Sequence, residues 1–202
     1  IEPAERHEHD EQTLNAIFMA TVLIPLAEGF EEIEAVTLID VLRRAEIDVV
    51  TASLTEDLNI TASRGVRLVA DATLDAVIDD EFDMMVLPGG QPGTNNLNAD
   101  QRIHALLKRF NQADKWLGAI CAAPMVLAHG GLLEGLHVSC YQGALKPNEW
   151  PEIQFSNDAV VCDNKIITSR GPGTAMTFAL TIIEKLMDEE TRQQVETSLV
   201  IR

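Results

Sequence analysis

Basic side chains, aromatic rings and long apolar runs are all scarce in this chain of 202 residues. Fifteen Lys and Arg stand against 32 Asp and Glu, so the formal net charge is −17 at pH 7. This shortage of positive charge disfavours a nucleic-acid groove and binding to anionic lipid, since both depend on Lys and Arg. No apolar run reaches the roughly 18 to 20 residues that a membrane helix needs. We therefore expect neither nucleic acid nor a membrane as a partner.

Cysteine is also scarce, and its spacing excludes two further classes of protein. Cys121, Cys140 and Cys162 form no C-x-x-C pair, and their odd number cannot make a closed disulfide framework. The pattern fits neither a secreted disulfide scaffold nor a zinc site. It predicts a reducing, cytoplasmic compartment, and we expect no metal ion and no cofactor.

Residues 1–18, "IEPAERHEHDEQTLNAIF", lack the basic start and apolar block of a signal peptide. Met19 directly precedes an apolar run, so we expect the natural chain to begin there. The preceding segment is expected to be a disordered upstream extension or a remnant of expression. His7 and His9 lie in it, and we expect them to be part of a solvated tail rather than metal ligands.

From Met19 onward, apolar runs of strand length alternate with segments of helical periodicity. Apolar residues at 35, 38, 39 and 42, for example, follow the i, i+3, i+4, i+7 spacing of one helix face. This alternation predicts a single α/β domain over residues 19–202, a doubly wound sandwich with a mostly parallel sheet and helices on both faces. The expected strands are 20–27, 47–54, 82–87, 115–120, 136–141 and 159–169, the last with an internal turn. Residues 65–74 suit a hairpin or an edge segment, and "GPGT" (171–174) opens what we expect to be the final helix.

The stretch "LGAICAAPMVLA" (117–128) places Cys121 where a buried strand turns into a helix. Active sites of doubly wound sheets form at the carboxyl ends of strands, and free N–H groups at a helix start favour a thiolate. This position predicts a reactive cysteine with a lowered pKa. The alternative is that Cys121 is a small buried apolar residue, as most free cysteines are. Cys140 and Cys162 lie inside strand-like runs, which predicts core positions for both.

Four segments of the chain resemble the signature segments of the deglycase-like branch of the ThiJ/PfpI superfamily. They are "LAEGFEEIEAVTLIDVLRRA" (26–45), "VLPGG" (86–90), "AICAAP" (119–124) and "ITSRGPGTA" (167–175), and the resemblance extends over nearly all of residues 20–201. It implies a flavodoxin-like sandwich, a homodimer, and a reactive cysteine that is hydrogen-bonded to a protonated glutamate.

The resemblance assigns roles to individual residues. It implies that Cys121 is the nucleophile, that Glu34 is its proton-transfer partner, and that the N–H groups of Gly90 and Ala122 form an oxyanion hole. On local pattern alone, Glu34 would be one of three acids that favour the start of a helix, and we assign only that role to Glu31 and Glu32. The residues that match family positions in the pocket or at the dimer interface are Gly89, Arg44, Arg64, Tyr141, Ser169, Arg170, Gly171 and Pro172.

Two departures from the superfamily pattern restrict the chemistry. The proteolytic branch has a His directly after the cysteine, whereas this chain has Ala122. Many relatives also have a pocket His where Tyr141 stands here. We therefore disfavour a Cys–His hydrolase, and we expect none of His104, His129 and His137 to act as a catalytic base.

The predicted function is a cysteine-dependent glyoxalase or deglycase. Its partners would be small dicarbonyl substrates such as methylglyoxal, or early glyoxal adducts, and the activity would protect against oxidative stress. The alternative is a non-enzymatic redox sensor or redox-regulated chaperone that uses the same Cys121.

Overall fold

The structure, a computed structural model, describes residues 19–201, so the predictions for residues 1–18 lie outside the described residues. Within that range no helix is long and apolar enough to cross a membrane. The strands are β1 (Thr21–Leu26), β2 (Asp48–Ser53), β3 (Asn59–Thr61), β4 (Arg67–Val69), β5 (Ala72–Thr73), β6 (Met84–Leu87), β7 (Trp116–Ile120), β8 (His137–Val138), β9 (Gln154–Phe155), β10 (Val160–Asp163) and β11 (Ile166–Ser169).

Seven of these strands form the central sheet, in the order β10-β11-β7-β6-β1-β2-β5. All neighbouring pairs in it are parallel except β10 with β11. The inner five strands, β2-β1-β6-β7-β11, have the 2-1-3-4-5 order of flavodoxin-like folds. The predicted doubly wound α/β sandwich is therefore confirmed. In this order the chain reverses direction across the sheet between β1 and β6, where a crevice opens at the carboxyl ends of the strands.

Helices cover both faces of the sheet and divide its core into two apolar clusters. Within β1, Val22, Ile24 and Leu26 belong to one cluster and Leu23 to the other, as the two-residue period of a strand requires. The first, sixth and seventh helices pack on one face, and the second to fifth on the other. The helices are α1 (Glu32–Arg44), α2 (Leu74–Val77), α3 (Gly93–Ala99), α4 (Gln101–Gln112), α5 (Pro124–His129), α6 (Ala175–Leu186) and α7 (Glu189–Ser198), with a 3₁₀ turn at Pro172–Thr174.

Three sequence predictions differ from this architecture. The helix that follows "GPGT" is not the last, because α7 follows it; only Val195 of that helix is buried, so its sequence carries no apolar stripe. The run 136–141 contributes only the two-residue β8, and Cys140 lies half-buried in the loop beyond it. Cys162 is exposed rather than in the core, because β10 is the edge strand of the sheet.

Candidate active site

Cys121 follows β7 directly and has a backbone φ of +65°, a conformation that residues with side chains rarely adopt. Hydrogen bonds hold this strained backbone on both sides. The Cys121 N–H donates to the carbonyl of Ser169 at 2.9 Å, and the N–H of Tyr141 donates to the Cys121 carbonyl at 2.7 Å. The predicted strand-to-helix corner is therefore present, with α5 beginning three residues later at Pro124. Strain fixed in this way is typical of functional positions.

Glu34 lies in the first turn of α1 and is completely buried. Its Oε2 accepts a hydrogen bond from the N–H of Gly89 at 2.8 Å. Within residues 19–201, its Oε1 has no hydrogen-bond partner of ordinary geometry. Burial raises the pKa of Glu34 to about 7, against the opposing effect of the nearby Cys121 thiol and the Gly89 N–H.

The pKa of the Cys121 thiol is raised to about 12, first by burial and then by the charge of Glu34. The sequence predicted a lowered pKa instead. The N–H groups of Ala122 and Gly90 do lower the pKa of the thiol, but burial and Glu34 raise it by more. Because the two acids are buried together, their titrations are coupled, and once the pair has lost one proton the remaining proton can lie on either group. When that proton is on Glu34, the repulsion disappears and the carboxyl becomes a donor to sulfur. The thiolate is therefore favoured only beside a protonated Glu34.

The N–H groups of Gly90 and Ala122 lie near the sulfur of Cys121, where they lower the pKa of its thiol against the larger effect of burial. Neither donates to another protein acceptor among the hydrogen bonds of residues 19–201. Two such donors can stabilise negative charge on sulfur or on an oxygen of a group attached to it. The oxyanion hole stays a prediction, and this arrangement is compatible with it.

Gly89 and Gly90 have no room for a side chain. A Cβ on Gly89 would lie 2.7 Å from the Cβ of Cys121 and 2.8 Å from Oε2 of Glu34. Gly90 has a φ of +94°, and a Cβ there would lie 2.5 Å from the backbone nitrogen of Glu31. The Pro-Gly-Gly segment after β6 thus does more than end a strand, since it allows the acid and the thiol to approach each other.

A cavity of about 660 Å³ lies beside the loop that follows β11, and Cys121 is not among the described residues that line it. Four of the predicted pocket residues line it: Tyr141, Arg170, Gly171 and Pro172. A Cβ on Gly171 would lie 3.8 Å from Sγ of Cys121 and 3.4 Å from the ring of Tyr141, so this wall of the cavity is adjacent to the sulfur. Ser169 is buried and does not line the cavity. Its hydroxyl lies 2.7 Å from both the carbonyl of Ala159 and the hydroxyl of Thr174.

The other two predicted arginines, Arg44 and Arg64, do not line the cavity. Arg44 stands ten residues after Glu34 on the same helix, which is about 15 Å along its axis, and pairs with Asp40. Arg64 is exposed at the tip of the β3–β4 hairpin. The structure therefore does not bring either residue into the pocket, and their role at a dimer interface stays a prediction.

Glu31 and Glu32 do more than favour the start of a helix. The Glu31 carboxylate accepts the N–H of Glu34 at 2.8 Å, and its charge raises the pKa of Glu34. Glu32 is buried and accepts hydrogen bonds from the hydroxyl of Ser63 at 3.0 Å and the N–H of Arg64 at 2.6 Å. The three-residue spacing of Glu31 and Glu34 is a helix-capping signal that could have identified the first contact. Nothing in the sequence indicated the hydrogen bonds that Glu32 accepts from Ser63 and Arg64.

The three histidines of the described residues have partners of their own. His104 contacts the carbonyl of Asn98, His129 the side chain of the same residue, and His137 the carboxylate of Asp163, at 2.9, 3.1 and 2.9 Å. Over residues 19–201, no three His, Cys, Asp or Glu side chains are grouped so that they could hold a metal ion.

The fold and this site define a class: doubly wound α/β proteins in which a cysteine at a strained strand-to-helix turn faces a buried carboxyl group. Residues 20–185 match the model of the DJ-1/PfpI family, and the chain belongs to that family.

Relatives of the chain include two DJ-1 homologues and one protein named as an enzyme. Protein dj-1beta of Drosophila melanogaster is 40% identical over 90% of this chain and 97% of its own length. The glutathione-independent glyoxalase DJR-1.2 of Caenorhabditis elegans is 39% identical over 85% of this chain and 90% of its own. Protein DJ-1 homolog A of Arabidopsis thaliana is 38% identical over 93% of this chain, which spans only 48% of that longer protein.

Solved structures agree with the family assignment. Drosophila DJ-1beta superimposes with a TM-score of 0.86 at 39% identity, covering 91% of this chain and 99% of that one. Oxidized DJ-1 of Toxoplasma gondii gives a TM-score of 0.84 at 36% identity, covering 90% and 98% of the two chains.

Proposed function

We propose that this protein is a cysteine-dependent, glutathione-independent glyoxalase that converts methylglyoxal to lactate. The observation that carries the proposal is the burial of Glu34 beside Cys121, with the N–H groups of Gly90 and Ala122 near the sulfur. The C. elegans relative that is named a glutathione-independent glyoxalase supports the same chemistry. A cytoplasmic location fits this activity and stays a prediction.

The reaction uses groups that the site already holds. The Cys121 thiolate adds to the aldehyde carbon of methylglyoxal, and the resulting oxyanion is stabilised by the N–H groups of Gly90 and Ala122. Glu34 gives its proton to that oxyanion, and the resulting carboxylate carries a proton from the first carbon to the neighbouring carbonyl carbon through an enediol. The first carbon is thereby oxidised as the second is reduced. The product is a thioester of lactate. Water hydrolyses it, which releases lactate and restores the thiol.

The same site could act on early glyoxal adducts of amino groups. In such an adduct the former aldehyde carbon carries a hydroxyl and an amine. Attack by the Cys121 thiolate forms the C–S bond while the C–N bond breaks, and Glu34 supplies the proton that the leaving nitrogen needs. The adduct then follows the route of free methylglyoxal, so removal of dicarbonyl damage would link the activity to oxidative-stress protection.

Substitution of Glu34 tests this mechanism. Glu34→Gln keeps the shape and a hydrogen-bond donor but cannot exchange a proton. We expect lactate formation from methylglyoxal to fall by roughly 10²-fold or more, the usual contribution of a positioned acid–base group. Thiolate addition needs less proton transfer, so mass spectrometry should detect a stalled methylglyoxal adduct on Cys121. Lactate formation at the parent rate in this variant would refute the proton-transfer mechanism.

The second candidate function is a redox sensor or redox-regulated chaperone. It is favoured by the N–H groups and the protonatable carboxyl around sulfur, because these donors could equally hold the oxygens of an oxidised cysteine. Peroxide treatment of the parent and of Glu34→Gln, followed by mass analysis of Cys121, separates the two functions. A sensor would accumulate stable sulfinic acid in the parent without any methylglyoxal turnover. An enzyme would turn over methylglyoxal in the reduced state and lose that activity on oxidation.

A further inference from the structure

The cavity beside Cys121 is much larger than methylglyoxal. Methylglyoxal has five heavy atoms, and at about 30 Å³ for each, the liquid volume of a water molecule, it fills at most roughly 150 Å³. The cavity measures about 660 Å³, a volume typical of sites for ligands several times larger. A substrate that matches this volume would be an α-oxoaldehyde with a bulky substituent.

The wall of the cavity indicates what that substituent contains. Leu145, Pro147 and Phe155 give it an apolar surface. Arg170 is the one charged residue among the described residues that line it. In a chain with a net charge of −17, a lining whose only charge is positive is unusual and favours an anionic group.

Arg170 is available to bind such a group. It is exposed, and it forms no ion pair and no side-chain hydrogen bond with any residue in the range 19–201. It directly precedes Gly171, where an added Cβ would lie 3.8 Å from Sγ of Cys121. A molecule joined to the sulfur can therefore reach the wall that Arg170 borders by passing Gly171.

We propose that this cavity is a substrate subsite for α-oxoaldehydes that carry a bulky apolar substituent ending in a carboxylate, with Arg170 binding the carboxylate. The inference rests on the proposed glyoxalase function and adds a substrate class to it. Arg170 acts as a specificity-determining residue through its charge and its paired N–H donors, and it takes no part in the proton transfer at Cys121.

The test compares two probes of nearly equal size, 4-carboxyphenylglyoxal and its neutral analogue 4-carbamoylphenylglyoxal. In the parent protein we expect kcat/KM to favour the carboxylate by about fivefold, the effect of an exposed ion pair. The preference should disappear in Arg170→Gln, reverse in Arg170→Glu and persist in Arg170→Lys. It should also weaken as salt concentration rises, which a purely steric role would not cause.

Two controls make the comparison specific. Lys108→Gln removes one positive charge from the exposed surface of α4, away from the cavity, and should leave the preference unchanged. Arylglyoxals modify arginine, so initial rates are used; Arg170→Lys keeps the charge and cannot form the arginine adduct. This variant and the salt dependence also preserve the test if Arg170→Gln does not fold.

The outcomes separate this inference from the proposed function. Failure of the parent protein to turn over methylglyoxal would refute the glyoxalase function itself. Turnover of methylglyoxal with equal kcat/KM for the two arylglyoxals would leave that function intact and overturn the subsite. A carboxylate preference that Arg170→Gln does not reduce would likewise overturn the role of Arg170.

Discussion

A fully buried carboxyl group in the first turn of α1 makes the stability of the fold depend on pH. The pKa of Glu34 is raised from 4.5 to about 7 in the folded state. The folded state therefore binds a proton that the unfolded state has already lost between these two values, and stability falls as pH rises through that interval. The full loss from this group is about 3 kcal/mol.

This dependence predicts a difference between the parent and Glu34→Gln. Urea unfolding at a series of pH values gives the free energy of unfolding of both proteins. The value for the parent minus the value for the variant should fall by about 3 kcal/mol between pH 4.5 and pH 7. Below pH 4.5 both states of the parent are protonated, so the difference should be constant. A difference that stays flat across the whole interval would show that Glu34 is not protonated by burial.

Gly89 lies next to both Glu34 and Cys121, and its lack of a side chain allows the carboxyl and the thiol to be close. Gly89→Ala would place a methyl group 2.7 Å from Cβ of Cys121 and 2.8 Å from Oε2 of Glu34. We expect a loss of about 1 to 3 kcal/mol of stability, as for other overpacked sites, together with most of the methylglyoxal turnover. Gly130→Ala is the matched control, because a Cβ there meets its nearest neighbour at an ordinary 3.4 Å. Parent-like turnover in Gly89→Ala would contradict this account of the site.

At the scale of elements, the start of α1 influences the pKa of Glu34. Glu31→Gln keeps an acceptor for the N–H of Glu34 but removes the charge that raises the pKa of Glu34. The helix should form as before, and the pKa of Glu34 should fall by a few tenths of a pH unit. NMR titration of the glutamate carboxyl carbons measures this, with Glu34→Gln to assign the signal. Glu46→Gln, an exposed charge beyond the other end of α1, should leave the titration unchanged; an equal shift there would refute the local effect of Glu31.

The helices and strands that the sequence predicted correctly are those whose apolar residues are strongly buried. Strands of a sheet covered on both faces must be apolar throughout, which identified β1, β2, β6 and β7 to within a few residues. The polar helix α7 lacks an apolar stripe, and β10 is an edge strand, so periodicity missed the first and misplaced Cys162 in the core. Elements that bury one face weakly leave little signal in the sequence.

The candidate site was predictable only in part for a related reason. The corner at Cys121 is local, since a strand, a cysteine and a helix follow one another in the chain. Glu34 is remote from it in sequence and looks like an ordinary acid at a helix start, so only the family resemblance singled it out. The cavity wall comes from loop residues such as Leu145 and Phe155. No periodicity connects those residues with the ends of β6 and β7.

At the scale of the whole molecule, exposed apolar side chains are concentrated on α1 and the β3–β4 hairpin. Ile33 and Val36 on α1 are 57% and 46% exposed, and Val66 and Val69 on the β3–β4 hairpin are 49% and 66% exposed. Glu32 joins the two elements through its hydrogen bonds to the hairpin, so the hairpin lies against the start of α1. A surface of this kind is typical of an interface between subunits.

We therefore predict a homodimer that forms through this surface, with about twice the 22.2 kDa mass of the chain in sedimentation at micromolar concentration. Val69→Asp should shift the protein toward the monomer, because it places a charge in an apolar interface. Val200→Asp is the control, since Val200 is 81% exposed and belongs to neither element, following the end of α7. Because α1 presents Ile33 outward and Glu34 inward, loss of the dimer should also lower methylglyoxal turnover. A parent protein that sediments as a monomer, or a Val69→Asp variant that remains dimeric, would exclude this surface as the interface.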